Sequence, residues 1–276
     1  MKIVVCITST PEDMQYLSDA VESLQFGLRK PDQILVTLPT DKKYTIPNNI
    51  RKMPNVVINR IDADLGVLSS VVGFVQEYKA DSDVYALVLN SNCTYPKNLL
   101  REFELSIPEL DKVLSTKIPN FKGSVYGLSG QVIVPDKSRL LEQEFDDLLN
   151  GAETHIEKRS VIGYVKENAT VDILESYGGI MFHRSQIDTD AFMSYLHKTN
   201  KYTKGAEDLL LSNYFAQRSL QKTQICSLTL NRYILDGVGY TEHREQRKHR
   251  GKQLQEQIYQ GVIKGLRHDG LFCLWE

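Results

Sequence analysis

The chain has 276 residues, of which 41% are hydrophobic and 25% are charged, and its formal net charge is -2 at pH 7. This length suits one large α/β domain, and the charge offers no basic excess for a nucleic-acid partner. The four cysteines form no CxxC pair and no recurring Cys/His spacing, so free thiols are expected rather than a zinc module.

The first residues, MKIVVCITSTPED, contain a short apolar run that ends in Thr, Pro and acids. Neither a signal peptide nor a membrane-spanning helix fits this pattern. We therefore expect a cytoplasmic protein without a membrane span.

The first part of the chain alternates between predicted strands and predicted helices. Strands are predicted at residues 2–8, 33–38, 56–60 and 83–89. A helix is expected to begin at Pro11-Glu12-Asp13 with Thr10 as its N-cap, and another is expected over 66–78. Apolar residues at helical spacing follow the first of these starts.

Later segments are less regular. Residues 105–170 indicate helices and loops built around the sheet, and 171–184 indicate a strand, a glycine turn and another strand. Residues 205–218 predict a helix with two acids in its first turn, and the tail from 241 predicts a helix with a basic start. No repeat or low-complexity linker divides the chain.

Strands that alternate with helices predict an α/β fold with a mostly parallel central sheet and helices on both faces. In such sheets ligands bind beyond the carboxyl ends of the strands. Residues 8–11, 62–66 and 90–92 all follow predicted strands, so we expect one ligand to reach all three segments.

The order of the motifs resembles the GT-A glycosyltransferases, and more narrowly the compact members found in bacteria and large DNA viruses. The motifs are, in chain order, ITSTP, PDQILVTLP, DLG at 64–66, LNSNCTYP, YGGIMF and EDLLLSNY. The resemblance implies a single GT-A, Rossmann-like domain over 1–276. Its nucleotide-sugar half would be 1–100, its acceptor and catalytic half 101–243, and its helical tail 244–276.

Two positions depart from the family pattern. The metal-binding Asp-x-Asp motif is replaced by Asn90-Ser91-Asn92, and a lysine often found after the Asp-x-Gly segment is replaced by Ser70. Amide oxygens lack the formal charge that makes carboxylates strong ligands for Mg²⁺ or Mn²⁺. We therefore expect Asn90, Ser91 and Asn92 to contact the donor, with any divalent cation held weakly; the alternative is a structural Asn-rich turn.

The donor's nucleoside is expected at the first strand end and at the Asp-x-Gly segment. Thr8, Ser9 and Thr10 offer hydroxyls and backbone groups, although Thr10 also suits helix capping. Asp64 can accept hydrogen bonds from ribose hydroxyls or a base N–H, with Asp62 as its neighbouring alternative and a structural turn as the other explanation.

The resemblance implies that Asp208 is the general base of an inverting transfer and that Glu207 binds acceptor hydroxyls. Acids at a helix start also have a purely structural explanation, because the exposed N–H groups favour them. Gly178 and Gly179 would let backbone approach the sugar closely, or would simply allow a tight turn.

Cations are needed near the leaving diphosphate if no metal is tightly held. Arg244, Arg247 and Lys248 in the basic tail are assigned this role, and a solvated helix face is the alternative. The terminal LFCLW is expected to dock on the fold rather than to bind sugar.

The sequence thus predicts a glycosyltransferase that moves a sugar from a nucleotide-sugar donor, UDP-linked by preference, to a hydroxyl of a glycan acceptor. The first alternative is a catalytically silent nucleotide- or carbohydrate-binding protein on the same fold. A nucleotidyltransferase would need a glycine-rich, basic phosphate loop after the first strand, and TSTPED contains neither glycine nor lysine.

Overall fold

The computed structural model describes residues 1–135, 154–157, 168–226, 255 and 257–274. Strands β1 to β11 are Ile3–Thr8, Gln33–Pro39, Val56–Ile61, Tyr85–Asn90, Ser124–Gly127, Gly130–Pro135, Thr154–Glu157, Ala169–Thr170, Ile173–Leu174, Ile180–His183 and Gln221–Gln224. Helices α1 to α6 are Met14–Gln25, Asn48–Lys52, Leu68–Glu77, Leu99–Lys117, Thr189–Thr199 and Glu207–Gln217, and α7 covers 257–268.

Most of these strands form one eight-stranded sheet in the order β3-β2-β1-β4-β10-β5-β11-β8. Strands β1 to β4 are parallel to one another, and β11 is parallel to β5. Strand β10 is antiparallel to both of its neighbours, and β8 is antiparallel to β11. A second sheet, β7-β6-β9, has three strands.

Apolar side chains of the central strands alternate between two cores. In β1, Val4 and Cys6 belong to one core, while Ile3, Val5 and Ile7 belong to the other. Because successive residues of a strand point to opposite faces, a strand buried on both faces is apolar throughout. Helices α3, α5, α6 and α7 cover the first core, and α1, α2 and α4 cover the second. The predicted α/β fold, with a mostly parallel sheet and helices on both faces, is confirmed.

Helix α3 packs unusually close to the sheet. A Cβ built on Gly73 would lie 2.9 Å from Thr37 Cγ2 in β2, a distance that real Cβ atoms do not show. Glycine at this position therefore lets the helix axis approach the strand. The loop that precedes α3 forms part of the site described below.

The start of the first helix differs from the prediction. Helix α1 begins at Met14 with Asp13 as its N-cap, so Thr10 is not the N-cap. Thr10 Oγ1 instead accepts a hydrogen bond of 3.2 Å from the N–H of Asp13 and closes the turn that precedes the helix. Proline at position 11 and the two acids after it therefore lie in this turn.

The prediction of only helices and loops for residues 105–170 is wrong in part. The segment contributes the strands β5 to β8, and β5 lies inside the main sheet between β10 and β11. Strand β5 has only four residues, and so short an apolar run cannot be distinguished from a helix fragment by periodicity.

Helix α6 holds the C-terminal segment through Asn213 and through Gln217, whose Nε2 donates to Leu271 O at 3.0 Å. Asn213 donates from Nδ2 to Leu271 O at 2.8 Å and accepts at Oδ1 from the N–H of Cys273 at 2.8 Å. This placement agrees with the docking role expected of the segment, whose Trp275 lies outside the described residues. Of the helices in the described ranges, none combines the length and the apolar character needed to cross a membrane.

Candidate functional site

Polar residues lie in register at or near the carboxyl ends of four neighbouring parallel strands. Thr8 of β1 is in register with Thr37 of β2 and with Asn90 of β4, and Thr37 is in register with Asn59 of β3. Residues in register point to the same face of a sheet, here the face covered by α3 and α6. The carboxyl edge of the sheet is thus polar, as a ligand-binding edge requires.

Ser9 and Thr10 continue from this edge into the loop that leads to α1. Ser9 is buried and its Oγ donates to Thr10 O at 3.2 Å. Thr10 remains exposed. The structure places Thr8 beside Asn90, with Ser9 and Thr10 following it in the chain, and the contact of these three residues with a nucleotide stays a prediction.

The Asn90-Ser91-Asn92 turn is held in shape by Tyr95. The Tyr95 hydroxyl accepts from the N–H of Asn90 at 2.9 Å and donates to Asn90 O at 2.8 Å. Ser91 is buried. The tyrosine of the Tyr-Pro pair therefore holds the backbone of Asn90 at the start of the turn.

The amides of this turn do not fit a tightly bound cation. Asn90 Oδ1 accepts from Ser176 Oγ at 3.2 Å, and Asn92 Oδ1 accepts from Cys93 Sγ at 3.6 Å. Both oxygens are neutral and already engaged, whereas Mg²⁺ and Mn²⁺ prefer charged oxygen ligands. Within the described part of the chain, no three His, Cys, Asp or Glu side chains are grouped as metal ligands.

Asp64 lies in the loop between β3 and α3 and is held by two donors. Its Oδ1 accepts from the N–H of Gly66 at 3.0 Å, and its Oδ2 forms an ion pair with Lys42. Burial raises the pKa of Asp64, but the bonds from Lys42 and Gly66 outweigh that effect and hold the pKa below its usual value. An ionised carboxylate therefore faces the edge of the sheet, beside a lysine that the sequence analysis did not identify.

The Asp64 loop touches the start of α6. Gly66 has φ +58°, and a Cβ on it would lie 2.9 Å from Glu207 Cδ. Burial raises the pKa of Glu207, and the nearby charge of Asp64 raises it further, although backbone hydrogen bonds oppose the shift. The predicted donor loop and the predicted acceptor residue are therefore in direct contact.

One residue joins the predicted donor site to the predicted general base. Ser176 donates from its N–H to Asp208 Oδ2 at 3.2 Å and from its Oγ to Asn90 Oδ1 at 3.2 Å. It begins the 3-10 turn Ser176–Gly178, which lies between β9 and β10. Asn90 and Asp208, which are far apart in the sequence, are thus two hydrogen bonds from each other.

The electrostatic setting of Asp208 suits a proton acceptor. The residue as a whole is half-buried, but its Oδ1 is fully buried and accepts no hydrogen bond from the residues that the structure describes. Burial raises the pKa of Asp208 to about 7; Ser176 opposes the shift, and the charges of Glu175 and Glu207 add to it. A carboxyl group that titrates near neutrality can take up and release a proton at physiological pH.

Gly178 and Gly179 have structural reasons to be glycine. A Cβ on Gly178 would lie 3.0 Å from Ser129 Cβ, and Gly179 has φ +89° with a Cβ that would lie 3.0 Å from Leu87 Cδ1. The turn therefore packs tightly on β4 and on the connection between β5 and β6. Close approach of a sugar to these glycines stays a prediction.

Arg244, Arg247 and Lys248 lie outside the described residues. Lys42 is a cation that the structure does place at the edge of the sheet, through its ion pair with Asp64. Its sequence signal is weak, because it is one of two consecutive lysines in a polar loop after β2.

Four further residues of the site escaped sequence reasoning: Ser129, Glu175, Ser176 and Tyr259. The usable signal was Glu175, because an acid directly after the apolar pair Ile173-Leu174 is a candidate for a buried, hydrogen-bonded carboxylate. Tyr259 of α7 is buried and has no pattern that separates it from an ordinary core residue.

No protein-family model and no curated protein matches the sequence. Among solved structures, the chain is similar to S. aureus TarS 1–349 in complex with UDP-GlcNAc, with 14% identity and a TM-score of 0.47 over 82% of this chain and 56% of that one. The same TarS fragment with UDP gives 13% identity and a TM-score of 0.45 over 82% of this chain and 58% of that one. A further crystal structure of S. aureus TarS 1–349 gives 11% identity and a TM-score of 0.43, covering 97% of this chain and 72% of that one. The chain therefore spans little more than half the length of the first TarS chain.

Proposed function

We propose that the protein is a glycosyltransferase of the GT-A type, which moves a sugar from a UDP-linked donor to a hydroxyl of a glycan acceptor with inversion. One observation carries this proposal: the half-buried Asp208, whose buried Oδ1 accepts no hydrogen bond from the described residues, lies two hydrogen bonds from the polar end of β4. A base beside a ligand-binding strand edge is what an inverting transfer needs.

The donor would lie along the carboxyl edge of the sheet. Thr8, Ser9 and Thr10 would contact the base and ribose, and the ionised Asp64 would accept hydrogen bonds from ribose hydroxyls. The amide of Asn90 would donate to the sugar or to a phosphate oxygen. The strand register of Thr8 with Asn90 and the contact between Gly66 and Glu207 support one continuous binding surface along this edge.

The transfer would proceed in one displacement. Asp208 takes the proton of the acceptor hydroxyl while that oxygen forms a bond to the anomeric carbon. The bond from the anomeric carbon to the diphosphate breaks, its electron pair leaves with UDP, and the configuration at the carbon inverts. Glu207 would hold acceptor hydroxyls beside Asp208, and no covalent enzyme intermediate is formed.

The leaving diphosphate would be stabilised without a tightly held metal. The neutral and engaged amides of Asn90 and Asn92 support this part of the proposal. Arg244, Arg247 and Lys248 would supply the compensating charge, with Arg able to hold a phosphate through two hydrogen bonds.

A second candidate is a catalytically silent protein that binds a nucleotide or a carbohydrate. The observation that favours it is the same pair of amides, because the loss of both acids removes the charges that usually anchor the diphosphate.

The experiment is UDP release from a panel of UDP sugars with mixed sugar acceptors, run in manganese and in EDTA, beside calorimetric UDP binding. Release that persists in EDTA is the expected result. Binding without release from any donor would favour the silent protein, and the absence of both binding and release would overturn the nucleotide-sugar assignment.

A further inference from the structure

A buried carboxylate that has no role in the proposed transfer lies directly behind the site. Glu175 is 2% exposed and follows β9. Its Oε1 accepts from Gln131 Nε2 at 2.6 Å, its Oε2 accepts from Ser129 Oγ, and its N–H donates to Ser129 O at 3.0 Å. These bonds tie the start of the Ser176–Gly178 turn to the connection between β5 and β6.

The same serine also holds the middle residue of the turn. Ser129 Oγ is hydrogen-bonded to the hydroxyl of Tyr177 as well as to Glu175. Ser176, which bonds both Asp208 and Asn90, therefore lies between two residues that are both fixed to Ser129. Because the donors and acceptors around Glu175 are buried, removing one of them would cost more than an exposed hydrogen bond does.

We propose that Glu175 is a positioning residue that acts through Ser176: it holds Asn90 and Asp208 in one fixed arrangement and places a negative charge beside the Asp208 carboxyl. The positioning role is argued from the hydrogen bonds alone, and only the expected effect on turnover rests on the proposed function.

Several groups face Asp208 and share its electrostatic environment. Glu175 lies on the turn before β10, Glu207 lies on α6 beside Asp208, and Tyr259 reaches the cluster from α7. Asp64 adds a charge near Glu207. Burial raises the pKa of Tyr259, and the charges of Asp208 and Glu175 raise it further, so this tyrosine is a neutral neighbour at physiological pH.

The charge of Glu175 has a direct consequence for proton uptake. A like charge disfavours the ionised form of a neighbouring carboxyl, so Glu175 contributes to the raised pKa of Asp208. Glutamine at position 175 has nearly the same shape and keeps one acceptor oxygen, but it lacks the charge. The substitution Glu175→Gln therefore removes the charge while it keeps most of the packing.

The test is the titration of the Asp208 carboxyl carbon by NMR in ¹³C-labelled full-length protein, assigned by the loss of its signal in Asp208→Asn. In Glu175→Gln the apparent pKa of Asp208 should fall by roughly one unit. In Ser129→Ala, which removes the shared hydroxyl but keeps the charge, the Asp208 signal should broaden or split while its pKa changes less. An unchanged Asp208 titration in Glu175→Gln together with an unchanged signal in Ser129→Ala would overturn the proposal.

Turnover provides the second readout. If UDP release is found, the pH at which it reaches half its maximum should move downward in Glu175→Gln, whereas a purely structural change would lower the rate equally at every pH. If the wild-type protein releases no UDP, the proposed function fails, but the NMR titration still decides the role of Glu175. If Glu175→Gln does not fold, the NMR signal of Asp208 in Ser129→Ala becomes the deciding measurement. An unchanged signal in that variant would reject the positioning role.

Discussion

Gly66 lies against the carboxylate of Glu207, so the loop that carries Asp64 and the helix that carries Asp208 meet at a contact with no room for a side chain. This contact joins the half of the site expected to bind a nucleotide to the half expected to do chemistry. Gly66 also has φ +58°, a conformation that residues with a Cβ rarely adopt. Both properties make position 66 sensitive to substitution.

The first prediction concerns Gly66→Ala. Left-handed backbone at a residue with a Cβ costs about 1 kcal/mol, and the displacement of Glu207 adds to that cost, so a total loss of about 2–3 kcal/mol is expected. Gly270→Ala is the matched control, because Gly270 has φ +67° but its added Cβ would meet nothing within 4 Å. Urea unfolding of both variants checks the difference; equal losses would show that the Glu207 contact is unimportant.

The second prediction concerns the pH dependence of stability. Folded protein keeps the Asp208 proton up to about pH 7, whereas the unfolded chain releases it near 3.8, the ordinary pKa of an aspartate. The folded state therefore binds more protons in this window, and the contribution of Asp208 to the free energy of unfolding falls as pH rises. The free energy of unfolding of Asp208→Asn, taken relative to that of the wild type, should therefore rise by on the order of 2 kcal/mol between pH 5 and pH 8.

The control for this prediction is Asp188→Asn. Asp188 also stands at a helix start, where its Oδ1 accepts from the N–H of Ala191 at 2.9 Å. Asn caps a helix about as well as Asp, so this variant controls for the loss of a carboxylate at a helix start. If the stability difference between Asp208→Asn and the wild type were the same at both pH values, the raised pKa of Asp208 would be refuted.

The third prediction separates two neighbouring aspartates. Asp64→Asn should weaken UDP binding about tenfold, because a charge-assisted hydrogen bond to ribose contributes about 1.5 kcal/mol. Asp62→Asn should leave the affinity unchanged, since, within the described residues, the bonds to Lys42 and Gly66 that orient the Asp64 carboxylate are not formed by Asp62. Calorimetric titration with UDP measures both, and a larger effect at Asp62 would reverse the assignment.

The fourth prediction concerns the tight packing of α3. Thr37 Oγ1 is buried and has no hydrogen-bond partner within the described ranges, so Thr37→Val should leave stability unchanged or raise it by about 1 kcal/mol. Gly73→Ala should lower it by about 1–3 kcal/mol, because the added methyl group meets the Thr37 side chain. Thermal unfolding measures both, and a stabilised Gly73→Ala would contradict the packing described here.

Local patterns predicted much of the first half of the fold. The apolar positions of α1, including Leu17, Val21 and Leu24, are buried as their helical spacing indicated, and β1 to β4 lie within two residues of their predicted ends. Strand β5 was not predicted, because it is short and its place in the sheet depends on pairing with β10 and β11, which are distant in sequence.

The candidate site, like the fold, could be predicted from the sequence only in part. Asp208 was identified because a motif and a helix start coincide at its position. Its buried Oδ1, its link to Asn90 and the charge of Glu175 beside it arise from contacts across 32 to 86 positions of sequence, which no local pattern encodes. Lys42 was overlooked for the same reason, since only the fold brings it to Asp64.

The most direct test of the account is a comparison of UDP binding with UDP release in wild-type protein and Asp208→Asn, using one active UDP sugar and acceptor. We expect the variant to bind UDP like the wild type while its turnover falls about 100- to 10,000-fold, as loss of a general base predicts. A variant that releases UDP at the wild-type rate would contradict the assignment of Asp208 as the base.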